Sequence, residues 1–428
     1  MKIAIAGYGA EGESNYQYWN TPDNQVVIID ENTPARALPV DVSVIIGEDA
    51  FARLDGYDLV VRTAGLAPRK IKTDGKLWSA TNEFFDKCPA PIIGVTGSKG
   101  KGTTSSLIAS TLRAAGRTVH LVGNIGVPAL DALPNVSIDD IVVYELSSFQ
   151  LWDLEQSPHI AVVLMIEPDH LDVHADFAEY IQAKANIVHY QNDADFVVYN
   201  GANQYATAIG LSSQAQQLAY QSPQSAHVKE GSIWYGEQEL CSVDVLHLPG
   251  VHNQDNACAA INAVWPYVQD GDAIARGLAN FSGLPHRLKL VRRVNDVAYY
   301  DDSIATTPGS AIAAVKAFDT PKVLIVGGSS KGADFDTLTT ELANDASIRA
   351  IICIGETGPL IERQLKGKGS TATIVDEQSH DMQQIVSQAT EQAHVGDVVI
   401  LSPACASFDM FKNYSDRGDQ YIAAVNSL

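Results

Sequence analysis

Lys101 follows a strand-like apolar run (Ile92, Ile93, Val95) through a turn made of Gly97, Ser98, Lys99 and Gly100. The residues after it, from Gly102 to about Ala115, carry a helical pattern, so the stretch reads as strand, glycine turn and helix N-terminus. Glycines there let successive backbone N–H groups converge on an anion, the helix dipole favours negative charge, and Lys101 is long enough to reach outer phosphates. A strict P-loop would place a glycine at Val95 and a hydroxyl at Gly102. The shorter form T-G-x-x-G-K followed by threonines is met by Thr96, Gly97, Gly100, Lys101, Thr103 and Thr104. The predicted ligand is a nucleoside triphosphate. A ligand-free glycine turn is the alternative, and two lysines crowded into the turn disfavour it.

Other residues with chemical potential lie where apolar runs turn polar. Glu145 closes a strand of four apolar residues, where a carboxylate is costly unless paired or metal-bound. Beside a triphosphate loop, its natural partner is magnesium, which takes one or two carboxylates plus phosphate oxygens and water. Asp169 and His170 end a similar run, although a lone histidine in that position is more often structural. Lys184 falls within a helical pattern and by that pattern alone reads as a solvated surface lysine. Arg287 and Asp302 flank a third strand region, as a phosphate and ribose pair or as an interdomain salt bridge, and spacing leaves both readings open. Ser407, Lys412 and Arg417 lie in a polar stretch able to face a small acidic substrate. Near the start, Gly7, Gly9 and Gly12 have the GxGxxG spacing, with Asp30 ending VVIID. That pattern fits a nicotinamide cofactor, another nucleotide or a plain βα turn.

The elements that would hold these residues repeat an α/β rhythm. Strand-like runs at 43–47, 59–63, 118–123, 140–148, 159–166, 195–200, 297–303, 322–328, 350–355 and 371–375 alternate with helical patterns, and many are apolar on both faces. Buried parallel sheets follow, with ligands at the strands' carboxyl ends, where Asn124, Glu145, Ser147, Ser148, Asp169 and His170 fall. SIWYGEQEL (232–240) reads as a hairpin around Gly236, and a helix is predicted from about His252 to Val268. A length of 428 residues suggests about three domains. Proline-rich connectors place them at 1–89, 90–283 and 284–428. The formal charge of −22 argues against nucleic acid and anionic lipid. The absence of a long apolar run or a signal-peptide layout points to the cytoplasm. Five cysteines with no CxxC spacing argue against a zinc site or a disulfide frame.

Taken together, GVTGSKGKGTT, GNIGVPAL, YELSSFQL, EPDHLDVH, YIQAKANI, HNQDN, SGLPHR, DDSIATT and LSPACASFDMFKNYSDRG resemble, in order, the motifs of the Mur ligases, the ATP-dependent amide-forming enzymes of peptidoglycan synthesis. The resemblance covers the second and third domains nearly end to end. It implies a Rossmann-like first domain, a central P-loop ATPase-like domain with a parallel sheet, and a Rossmann-like third domain. It also implies D-glutamate addition to UDP-N-acetylmuramoyl-L-alanine through an acyl phosphate, by a monomer that takes up ATP and two magnesium ions. Gly97, Ser98, Lys99, Gly100, Lys101, Gly102 and Thr103 would form the ATP loop, with Asn253 and Asn256 on the adenine side and Arg287 and Asp302 on phosphates and ribose. Thr103, Glu145, His170 and Lys184 would serve the metals, Lys184 as a carbamate. Gly9, Ala10 and Asp30 would hold the UDP end, and Asn124, Ser147 and Asp169 the muramoyl portion. Thr306, Lys331, Ser407 and Tyr414 would hold glutamate. The chain departs from the family at Gly102, where a hydroxyl is usual, and at Ile304, where a lysine is usual among D-glutamate-adding members. Alternatives are therefore an L-glutamate-adding ligase and a nucleotide-binding protein without turnover.

Overall fold

The structure is a computed structural model and describes residues 1–428 apart from Ala35, Ile125, Gly126, Pro249 and Lys331. Lys331, expected at the glutamate site, therefore lies outside the described residues. The class is α/β with parallel sheets, as expected. The described residues form two compact units, Met1–Leu246 with His252–Phe281 and His247–Val251 with Ser282–Leu428. The expected boundary at 89/90 falls inside the first unit, and that at 283/284 beside the start of the second.

Two parallel sheets organise the first unit. One has the spatial order Ser43–Ile46, Gln25–Asp30, Lys2–Ala6, Leu59–Arg62, Lys76–Ser79. The glycines after its central strand divide their tasks. A Cβ on Gly7 (φ 91°) would come within 2.4 Å of Thr63 Oγ1, and one on Gly12 within 2.2 Å of the Gly7 carbonyl oxygen, whereas nothing lies within 4 Å of a Cβ on Gly9. Gly7 and Gly12 thus permit close packing, while Gly9 leaves the start of the helix Ala10–Trp19 uncovered. The Asp30 carboxylate accepts the amides of Tyr8 and Asn32 at 2.8 and 3.1 Å. Arg62, fully buried at the end of its strand, ties this sheet to the next layer by donating through Nε to Asp153 at 2.6 Å and through Nη2 to the Phe149 carbonyl at 2.8 Å.

The second sheet runs Gln216–Tyr220, Phe196–Asn200, Ile160–Val163, Ile92–Thr96, Ile141–Glu145, Val119–Gly123, all parallel. Ile92–Thr96 is buried along its whole length and pairs on one side with Ile141–Glu145 (Val95 opposite Glu145) and on the other with Ile160–Val163 (Thr96 opposite Val163). The chain leaves this strand to one side and returns on the other, so the glycine turn opens at a topological switch point, where α/β sheets bind ligands. The helix Lys101–Ala114 that follows packs on Gly271–Asn280 at minimal distance. Ser110 Oγ donates to the Gly277 carbonyl at 2.7 Å, and a Cβ on Gly277 would lie 2.3 Å from Thr111 Cα. Gly277→Ala is therefore expected to destabilise the fold by about 2 kcal/mol through overpacking, read as a lower midpoint in urea unfolding. The expected hairpin forms as Ser232–Tyr235 and Gln238–Ser242 within a small antiparallel sheet.

The second unit holds one six-stranded sheet in the order Lys289–Val294, Val297–Asp301, Val398–Leu401, Lys322–Gly327, Ile348–Ile354, Thr373–Glu377. Only the first strand is antiparallel. Among the described residues, no helix is long and apolar enough to cross a membrane.

Candidate functional site

The glycine turn of the first unit is shaped by its neighbours. Gly97 (φ 149°) and Gly100 (φ 86°) both adopt backbone conformations that side chains resist, and a Cβ on Gly100 would sit 2.4 Å from Asn256 Oδ1. Gly100 precedes the helix and provides no side-chain cap, so first-turn N–H groups are left for an anion. Ser98 acts as a brace. Its amide donates to the Met165 carbonyl at 2.8 Å, and its hydroxyl lies 2.8 Å from the Glu167 carbonyl and 2.7 Å from the Tyr180 hydroxyl. Lys99 pairs with Glu167 at 2.6 Å at the exposed rim. Gly102 and Thr103 are buried in the first helical turn. Asn256 accepts from Thr104 Oγ1 at 3.3 Å and donates to Asn253 Oδ1 at 3.1 Å, which fastens the helix Val251–Val264 to the turn.

Two lysines meet on one carbonyl oxygen. Lys101 Nζ donates to the carbonyls of Gly97 and Ser98, both at 3.0 Å, and Lys184 Nζ donates to the same Gly97 oxygen at 2.8 Å. Lys184 is 1% exposed, which corrects the surface reading drawn from its helical pattern. Burial foremost, and then the charge of Lys101, hold its pKa well below the ordinary lysine value, while Asp169 and Glu145 pull the other way. The turn therefore gathers a half-buried lysine and a fully buried one whose charged form its surroundings disfavour.

Glu145, 5% exposed at its strand end, accepts from Asn124 Nδ2 at 3.1 Å. Ser147 starts the short helix Ser148–Leu151 in a reciprocal capping box with Gln150. Asp169 and His170 follow the neighbouring strand. His170 is exposed with a left-handed backbone (φ 54°), and its Nε2 lies 3.7 Å from Asp169 Oδ2. Among the described residues, no three His, Cys, Asp or Glu side chains could by themselves hold a metal ion.

In the second unit Asp302 is buried at the end of Val297–Asp301. Its carboxylate accepts from Ser402 Oγ at 2.7 Å and from the Leu288 amide at 3.1 Å, and burial pushes its pKa up to about 7. A carboxyl with a folded pKa above its unfolded value binds more protons when folded, so this group lowers stability as pH rises from about 4 to 7. Asp302→Asn is expected to remove that slope, which denaturant midpoints across this pH range would read. Arg287 is exposed, and the neighbouring His286, with φ 58°, bonds through Nδ1 to Asp301 at 2.7 Å. Arg417 does not face a substrate. It is fully buried, donating to the carbonyls of Ser303 and Cys405 at 2.8 and 3.1 Å and to Ser303 Oγ at 2.9 Å. The same frame places Ser407, which is buried, and Tyr414, which is exposed and whose carbonyl accepts from Ser303 Oγ at 2.7 Å. Thr306 is partly exposed, its amide turned back onto the Ile304 carbonyl at 2.8 Å. Sequence reading passed over Tyr180 and the His286–Asp301 pair, because a tyrosine in a helix and a histidine in a proline linker have no distinctive spacing.

A glycine turn at a switch point, with a second α/β unit after it, is compatible with an ATP-dependent ligase, and comparison with known proteins identifies the family. Residues 95–264 match the Mur ligase middle domain, and residues 286–405 the Mur ligase glutamate ligase domain. The chain belongs to the Mur ligase family. It is 37% identical over 454 residues to the UDP-N-acetylmuramoylalanine--D-glutamate ligase of Acetivibrio thermocellus, covering 100% of this chain and 96% of that protein. The protein of the same name from Clostridium tetani is 34% identical, with 100% and 97% covered. The fold is shared with UDP-N-acetylmuramate-alanine ligase MurC of Thermotoga maritima, with a TM-score of 0.62 at 17% identity, covering 100% of this chain and 99% of that one.

Proposed function

We propose that this chain is an ATP-dependent ligase that adds D-glutamate to the alanyl carboxylate of UDP-N-acetylmuramoyl-L-alanine in peptidoglycan precursor synthesis, as a cytoplasmic monomer. The observation that carries the reading is the pair of lysines on the Gly97 carbonyl beneath an uncapped helix N-terminus. It stands in a chain matched over its full length by ligases of that name. A carboxylate oxygen attacks the γ-phosphorus and ADP leaves. Glutamate's amine then attacks the acyl carbon of the acyl phosphate, expels phosphate and loses a proton.

In this reading the residues divide the work as follows. Gly97 to Thr103 cradle the nucleotide, and Lys101 turns from the loop carbonyls to the β- and γ-phosphates. Asn253 and Asn256 flank the adenine side, and Arg287 and Asp302 serve phosphates and ribose. Gly9, Ala10 and Asp30 hold the UDP end, which the open space above Gly9 supports. Asn124, Ser147 and Asp169 orient the muramoyl portion, while Thr306, Lys331, Ser407 and Tyr414 bind glutamate. Glu145, His170 and Lys184, with Thr103, hold two magnesium ions. Lys184 would do so as a carbamate: burial favours its uncharged form, which would add to CO2 and release one proton, leaving a carboxylate. Bound magnesium supplies charge neutralisation where carboxylate and phosphates converge.

Phosphate release from ATP with UDP-N-acetylmuramoyl-L-alanine, measured with D-glutamate, L-glutamate or no amino acid, tests the proposal. Release that requires D-glutamate is expected. Dependence on L-glutamate would assign Ile304 to a different stereochemical preference, and no release with either would leave a binding protein.

A further inference from the structure

His174 lies outside the roles above, yet three segments that carry the proposed metal-side residues meet on it. Its side chain is wholly buried. Nε2 bonds to Ser148 Oγ at 2.9 Å, and Ser148 stands three residues after Glu145. Nδ1 faces Glu179 Oε2 at 3.4 Å, and Glu179 and Tyr180 begin the helix Phe177–Ala185 that carries Lys184. The backbone amides of Val173 and His174 donate to the His170 carbonyl at 3.1 and 3.0 Å, closing a single turn with His170 at its head. The imidazole is packed on all sides, 5.4 Å from Phe149 at an interplanar angle of 14°, 4.4 Å from Trp152 and 5.2 Å from Tyr180. Phe149 in turn lies 4.9 Å from the His170 ring.

The turn is also held from outside. Arg69 bonds to Glu179 at 3.0 and 3.2 Å and to the Val173 carbonyl, and the Ala175 amide donates to Glu179 Oε2 at 2.6 Å. His170 itself is exposed, in a left-handed conformation that a residue with a Cβ keeps only when its surroundings impose it. Its ring meets Phe149, which stacks in turn on the buried ring four residues on.

We propose that His174 is a positioning residue, whose Nε2 bond to Ser148 and stacked faces fix His170 relative to Glu145 and the Lys184 helix and so set affinity for the divalent metal. The inference rests on the metal role proposed for His170. Residues that orient a metal ligand typically change metal affinity or activity by about 10–100-fold when replaced. His174→Phe keeps the aromatic packing and removes the Nε2 bond together with the Nδ1 approach to Glu179, and Ser148→Ala removes only the bond to Nε2. Mn2+ binding to the full chain with a non-hydrolysable ATP analogue, followed by electron paramagnetic resonance, is the readout, with Mg2+ dependence of turnover beside it.

His174→Phe is expected to weaken Mn2+ binding about tenfold and to raise the Mg2+ requirement more than it lowers kcat, with the ATP-analogue affinity unchanged. Ser148→Ala should shift both in the same direction by a smaller factor, and it decides the matter if His174→Phe fails to fold. Mn2+ affinity within twofold of the parent in folded His174→Phe, or in Ser148→Ala where only that variant folds, would overturn the proposal. His170→Ala is the control. If it leaves Mn2+ binding intact, the metal reading of His170 falls; if it weakens binding while the His174 and Ser148 variants do not, only the positioning role falls.

Discussion

Lys184→Met should abolish ligase turnover, lowering kcat by about 10³-fold, without unfolding the protein. The two halves of that expectation come from one environment. The amine is buried, it donates to the Gly97 carbonyl, and desolvation together with Lys101 disfavours its charged form. A buried amine whose charge is disfavoured adds little to stability, and Gly97 keeps its bond from Lys101 when Lys184 is gone. A methionine of similar length fills the space, so the unfolding midpoint near neutral pH should hold or rise. The sign of the pH effect follows from the depressed pKa. Between the folded value and the ordinary lysine value, the unfolded chain binds the extra proton, so the parent gains stability as pH rises through that window and loses it as pH falls. Lys184→Met should lack this slope. If the carbamate forms, removing CO2 lowers the parent's rate, and restoring bicarbonate recovers it. Full turnover in Lys184→Met would remove the lysine from the mechanism altogether.

That lysine also marks where sequence stops being informative. The fold was legible because doubly wound sheets write themselves as apolar runs: Ile92–Thr96 and Ile141–Glu145 are buried on both faces and had to be central. Three edge strands carry no such mark, although Ser43–Ile46, Val119–Gly123 and Thr373–Glu377, also at edges, show as apolar runs. Gln216–Tyr220, Lys76–Ser79 and Lys289–Val294 mix polar and apolar residues because one side or end meets water, and none stood out. The glycine turn was legible for a different reason, since the glycines there are required by backbone geometry that leaves a trace in spacing. Burial of a charged group leaves none. Lys184 looked like a surface lysine and is enclosed; Arg417 looked available and is spent on backbone carbonyls. In both cases most of the partners are main-chain oxygens, atoms every residue possesses, so side-chain patterns cannot announce them.

Lys101→Ala should lower kcat/KM for ATP by about 10³-fold, or about 4 kcal/mol of transition-state stabilisation. Its Nζ is satisfied by the Gly97 and Ser98 carbonyls, so the ammonium is poised at the mouth of the loop and exchanges those two bonds for phosphate oxygens. Lys101→Arg should recover little, because a planar guanidinium cannot occupy the point where two carbonyls of one tight turn converge. The loss has a second part. Lys101 is the largest charge opposing protonation of Lys184, after burial itself. Removing it lets the Lys184 pKa climb, which shrinks the neutral fraction that can take up CO2. The two lysines should therefore couple. Carbamate content, followed by carbon NMR with labelled bicarbonate, should fall in Lys101→Ala, and the double variant should lose less than the product of the single losses. Unchanged ATP affinity and rate in Lys101→Ala would mean the turn binds no phosphate. Strict multiplicativity would mean the shared carbonyl does not link the two amines.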